Sequence, residues 1–107
     1  MKNLDLETIK KRTAAIRKKY HQLERQHHGS EWTIEEDALA FLTDAGLVGR
    51  LVMSQQGRWP QPDTEEELKH KLGECLWWLT TLADRMGMDI NECTETFLTK
   101  TETLMGE

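Results

Sequence analysis

The stretch "HKLGECLWWL", residues 70 to 79, sets His70, Lys71 and Glu74 one helical turn ahead of two adjacent tryptophans. Helical spacing puts Glu74 beside His70 and Lys71 on one side and beside Trp77 and Trp78 on the other. Two readings follow: the acid-bearing helix of a metal-dependent site, or a core helix with polar residues at its mouth. A second stretch, "LTDAGLVGRL" at residues 42 to 51, bears on the choice because it carries Asp44. Every helical neighbour of Asp44 at three and four residues is apolar: Ala40, Phe41, Leu47 and Val48. A lone carboxylate in such surroundings is poorly hydrated and resists ionising unless a cation stands nearby. A metal ion, Lys71 and Arg50 are the candidate cations.

Helices must position these groups. Leu6, Ile9, Thr13, Ile16, Tyr20 and Leu23 recur at alternating steps of three and four, a narrow helical seam that Gly29 ends. Tyr20 and the histidines after it read as a seam residue and a solvated tail. Thr33 with Glu36, Asp63 with Glu66, and Asp89 with Glu92 have the spacing of capping boxes. Glu35, Glu36, Glu65, Glu66 and Glu92 are therefore expected to stabilise helix starts rather than bind a ligand. Helices are predicted over about 4–27, 33–54, 63–86 and 89–105, within roughly 2–4 residues at each end. "SQQGRWPQPD" is the one long connection. No β-alternation or internal repeat appears, so the fold class is all-α, in one domain over residues 1–107.

In the third helix, Leu68, Leu72, Cys75, Leu76, Leu79, Leu82, Ala83 and Met86 form an apolar arc, with Trp77 and Trp78 outside it. The second helix carries Ala38, Leu42, Ala45, Gly49 and Val52 on one side and Asp44 on the opposite one. Helices apolar on two sides are usually buried on two sides, and a chain this short buries limited surface alone. The tryptophans are read as an oligomer interface or as a pocket wall, and a homodimer or larger homo-oligomer is expected.

Composition narrows the partners. The chain has 107 residues, 37% hydrophobic and 31% charged, with a formal charge of −5. That charge argues against nucleic acid as the main partner. Cys75 and Cys93 lie in separate predicted helices without metal-ligand spacing, which suits free thiols in a reducing cytoplasm. No stretch reads as a signal peptide or a membrane span, so a cytoplasmic protein off the membrane is expected.

The segments "EWTIEEDALAFLTDAGLVGRLVM" and "ELKHKLGECLWWLTTLADRMGMDINE" resemble the MazG-like nucleotide pyrophosphohydrolases, the all-α NTP pyrophosphatase fold. The likeness runs from about Tyr20 to Lys100. It rests on acid–x–Gly in helix two, then acid–x–Leu–Trp in helix three, then "LADRMGMDINE". The resemblance implies a four-helix domain that oligomerises through its central helices. It also implies an Mg²⁺-dependent hydrolase (or one using Mn²⁺) that cleaves a nucleoside triphosphate to a monophosphate and pyrophosphate. The family's metal ligands are two pairs of acids spaced by three. Asp44 matches the first acid and Glu74 the last, whereas the second falls on Leu47 and the third on Lys71. Trp78 and Lys100 are the candidate substrate contacts, and Glu67 and His70 lie close enough to help hold a single weak ion. Lys71 can instead neutralise Asp44 and Glu74 where relatives hold metal. Two expectations therefore stand: a MazG-like pyrophosphohydrolase with Asp44 and Glu74 as surviving ligands, or a catalytically degenerate homologue that binds nucleotide or oligomerises.

Overall fold

Helix ends expose backbone groups with no intrahelical partner, and most of the starts here are set by side chains that supply one. The structure is a computed structural model, and it describes residues 3–106. Four helices appear in chain order: α1 (Leu6–His28), α2 (Ile34–Gln55), α3 (Thr64–Arg85) and α4 (Ile90–Leu104), with no strand among the described residues. The all-α expectation is met.

The α1 start was not anticipated: Asp5 Oδ1 accepts from the Thr8 amide at 2.8 Å. Its end is as expected, with Gly29 in the left-handed region (φ 76) and its amide donating to Arg25 O at 3.0 Å. At α2 the full capping box forms: the Glu36 amide donates to Thr33 Oγ1 at 3.1 Å and the Thr33 amide to Glu36 Oε1 at 2.8 Å. Asp89 caps α4, but through the Asn91 amide at 2.9 Å rather than through the Glu92 amide of the predicted box. The Asp63 cap is the exception. Asp63 has φ 57, left-handed backbone rather than the extended form a capping carboxylate needs. The preceding turn is held by hydroxyls: Thr64 Oγ1 donates to Gln61 O at 2.8 Å and lies 2.6 Å from Ser54 Oγ, which accepts from the Gln61 amide at 2.9 Å.

The chain divides into two compact units, residues 1–31 with 80–107, and residues 32–79. In the first, Thr13, Thr80, Thr81 and Ala83 are buried. Lys10 Nζ pairs with Asp89 Oδ1 at 3.0 Å and Arg17 with Asp84 at 3.2 Å, joining α1 to the start of α4 and the end of α3. His21 and Arg25 both reach Glu31, at 3.3 and 3.0 Å.

In the second unit, Asp37, Asp44, Leu51 and Ser54 of α2 are buried, with Ala40, Phe41 and Val48 half-buried along the same side. Opposite them on α3, Lys71, Glu74, Cys75, Trp77 and Trp78 are half-buried. The leucine stripe of that helix is not: Leu72 is 53% exposed, and Leu76 and Leu79 are exposed as well. Along α2, Leu42 is 66% exposed and Val52 is also exposed. Burial on two sides thus fails within one chain. The inward side of this unit is the one that carries Asp44 and the tryptophans.

Candidate functional site

Asp44 and Lys71 are separated by 27 residues, and the α2–α3 pairing brings them together. Lys71 Nζ donates to Asp44 Oδ1 at 3.0 Å and to Glu74 Oε1 at 2.9 Å. The second Asp44 oxygen is also taken, because Trp78 Nε1 donates to Oδ2 at 2.8 Å. Helical geometry explains the set, since 71, 74 and 78 succeed one another at three and four residues on one face of α3. Trp77 braces the arrangement, its ring meeting that of Trp78 edge-on at 4.8 Å between centroids and 71° between planes.

The electrostatics follow from these contacts. Burial pushes the Asp44 carboxyl up, but the hydrogen bonds from Lys71 and Trp78 outweigh it and hold the group below its ordinary value. Bonding to Glu74, then to Asp44, raises Lys71 above its ordinary range against the pull of burial. The Cys75 thiol nearby is pushed up by burial and by the Asp44 and Glu74 charges, so it is a weak nucleophile. Asp44 is therefore an ionised carboxylate with both oxygens satisfied, and Lys71 is its cation. Arg50, the other protein candidate for that role, turns away and donates to Trp59 O at 2.9 Å.

A divalent ion does not fit these residues. Mg²⁺ needs near-octahedral oxygen ligands, supplied in proteins mainly by carboxylates and water. Both Asp44 oxygens and Glu74 Oε1 are occupied by N–H donors. Leu47 offers no donor, and Lys71 brings a positive charge into the position itself. The helpers do not change this: His70 Nε2 lies 3.7 Å from Glu74 Oε1 on an exposed side chain, and Glu67 Oε2 accepts from Gln61 Nε2 at 3.3 Å. Among the described residues, no three His, Cys, Asp or Glu side chains are placed to share a metal ion. Mn²⁺ meets the same obstacle.

Of the sequence candidates, Asp44, Lys71, Glu74 and Trp78 come together. Leu47 lies half-exposed on α2, outside this contact set. Lys100 lies exposed on α4, in the first unit. The role of Trp78 as hydrogen-bond donor was missed. Its signal was the i+4 step from Glu74 combined with a carboxylate on the facing helix, which spacing within one helix cannot supply. Comparison with family models, curated proteins and solved structures returned no match.

Proposed function

We propose that this chain is a MazG-like helical protein of the nucleoside triphosphate pyrophosphohydrolase class whose carboxylate centre is closed by its own lysine. In this reading, cleavage of NTP or dNTP to monophosphate and pyrophosphate is weak, and nucleotide binding within a homo-oligomer is the retained property. One observation carries it: Lys71 Nζ bridges Asp44 and Glu74 at 3.0 and 2.9 Å, on the residue that aligns with the third acid of the MazG-like pattern. The ammonium supplies in cis one positive charge to two carboxylates, Asp44 and Glu74, where the family pattern sets divalent ions among four, so the pair is held without metal. The nucleotide class rests on the order and spacing of the two motif-bearing helices. Self-association is supported by exposed Leu39, Leu42, Leu72, Leu76 and Leu79 on those same helices, apolar side chains that a second copy would cover. Among the described residues no helix is long and apolar enough to cross a membrane, and two free thiols suit a cytoplasmic setting.

The test is a panel of NTPs and dNTPs with Mg²⁺ or Mn²⁺, followed for pyrophosphate and, in parallel, for binding by calorimetry. The expected outcome is nucleotide binding with release close to the rate without protein. Rapid metal-dependent release would reinstate a working metal centre and overturn the lysine-closed reading. Neither binding nor release would remove the nucleotide class.

A further inference from the structure

The connection between α2 and α3 holds a tryptophan in a backbone conformation that bulky residues rarely adopt. Trp59 has φ 61, in the left-handed region, and is 68% exposed. Asp63 (φ 57) and Gly57 (φ 82) share that region, so three of the eight residues at 56–63 turn the chain this way. Strain of this kind persists only where surrounding contacts over-determine it, and it concentrates at ligand-binding segments.

Arg50, from the last turns of α2, supplies those contacts twice. Its Nη1 donates to Trp59 O at 2.9 Å, and its guanidinium carbon stands 4.1 Å from the centroid of the Trp59 ring. The far end of the loop is tied down by the Ser54, Gln61 and Thr64 hydrogen bonds, and its start by the Arg58 amide donating to Met53 O at 2.8 Å. The backbone around Trp59 is thus tied at both ends, with a cation on the ring and most of the residue's surface in water.

Charge identifies what such a ring would take. Residues 45–62 contain no Asp or Glu, although the chain has 19 acids and a net charge of −5. Within that acid-free window stand Arg50 and Arg58, and among the described residues neither guanidinium has a carboxylate partner. An exposed π-face with the Arg50 guanidinium against it, and Arg58 next to it in the chain, suits a ligand that is planar at one end and anionic at the other.

We infer that Trp59, with Arg50 and Arg58, is a metal-independent nucleotide-binding platform on which a base stacks while the arginines attract its phosphates. The inference rests on the reading above for the ligand class alone; it uses none of the Asp44, Lys71 and Glu74 contacts. Stacking on one aromatic is sequence-tolerant, so discrimination among bases is expected to be weak.

The experiment titrates the full chain in EDTA with each of the four ribonucleoside triphosphates, with adenosine, and with inorganic tripolyphosphate. Binding is followed by calorimetry and by the indole N–H signals in NMR. Triphosphates should bind about ten-fold or more tighter than either half alone, with the Trp59 signal shifting. Trp59→Gly removes the ring yet suits the positive φ, so this variant should stay folded while losing about ten-fold in affinity. Arg58→Gln should weaken ATP and leave adenosine unchanged. Binding by Trp59→Gly within two-fold of wild type, or no triphosphate binding at millimolar concentration, would overturn the platform. Because EDTA removes any metal-dependent turnover, loss of the hydrolase reading leaves this test intact. Conversely, ATP binding unaffected by Trp59→Gly would refute only the platform.

Discussion

The Lys71 ammonium stands 3.0 Å from Asp44 Oδ1, a charged hydrogen bond that ties α3 to α2 near the middle of both helices. Its Asp44 partner is 9% exposed, and the Lys71 side chain 25%. The bond therefore lies between a surface ion pair, which contributes little, and a fully buried one, whose desolvation cancels its Coulombic gain.

Lys71→Met should cost roughly 1–3 kcal/mol of stability, because it removes the cation hydrogen-bonded to an almost buried carboxylate. Partial solvent access keeps the loss below the range typical of deeply buried pairs. Urea denaturation of wild type, Lys71→Met, Asp44→Asn and the double variant measures it. A double variant no worse than Lys71→Met alone indicates that the two side chains act as one unit.

Trp78→Phe keeps most of the ring and removes the N–H that serves Asp44 Oδ2 at 2.8 Å. The expected loss is about 1–2 kcal/mol, from one unsatisfied lone pair on a buried charge. Neutral behaviour would mean that water replaces the indole there.

Stability attributable to the cluster should be flat in the neutral range and fall at both extremes. Asp44 is depressed below 3.8 in the folded chain, so its contribution is full above 3.8 and is lost as pH falls through the folded value. Lys71 is raised above 10.5, so its contribution is full below 10.5 and is lost as pH rises through the folded value. Lys71→Met should abolish the alkaline loss, which a series of denaturation curves against pH would show.

Leu47→Glu combined with Lys71→Glu would give the chain the two pairs of acids that the proposed MazG-like reading calls for. In Mg²⁺ or Mn²⁺ this variant should bind metal and gain thermal stability, and in chelator its crowded acids should repel and lower it. Calorimetry reads the difference. Tight Mg²⁺ binding by the wild-type chain would contradict the closed centre.

The two predicted caps on the central helices should now part company. Thr33→Ala removes an intact capping box and should cost about 1 kcal/mol. Asp63→Gly should leave stability unchanged or raise it by up to about 1 kcal/mol, because glycine suits the φ of 57 that aspartate tolerates poorly. Equal losses at both sites would restore Asp63 as a cap.

Local chemistry was readable from the sequence because helix ends are decided within a few residues. Thr33 with Glu36, Asp89 and Gly29 stop or start their helices through bonds that never leave the segment. The anomaly of Asp44 was equally local, a charge whose three- and four-residue neighbours are all apolar. Which cation answered it was not, since Lys71, Arg50 and a metal all satisfied the same requirement on paper. Packing of α2 on α3 chose Lys71, delivered Trp78 to the other oxygen, and sent Arg50 to Trp59. The same packing turned the tryptophan side of α3 inward and left Leu72, Leu76 and Leu79 in water. Periodicity finds an apolar stripe but cannot say which of two stripes a neighbouring helix will cover. That choice, like the pairing of Asp44, depends on contacts between residues far apart in the chain, which only the tertiary structure fixes.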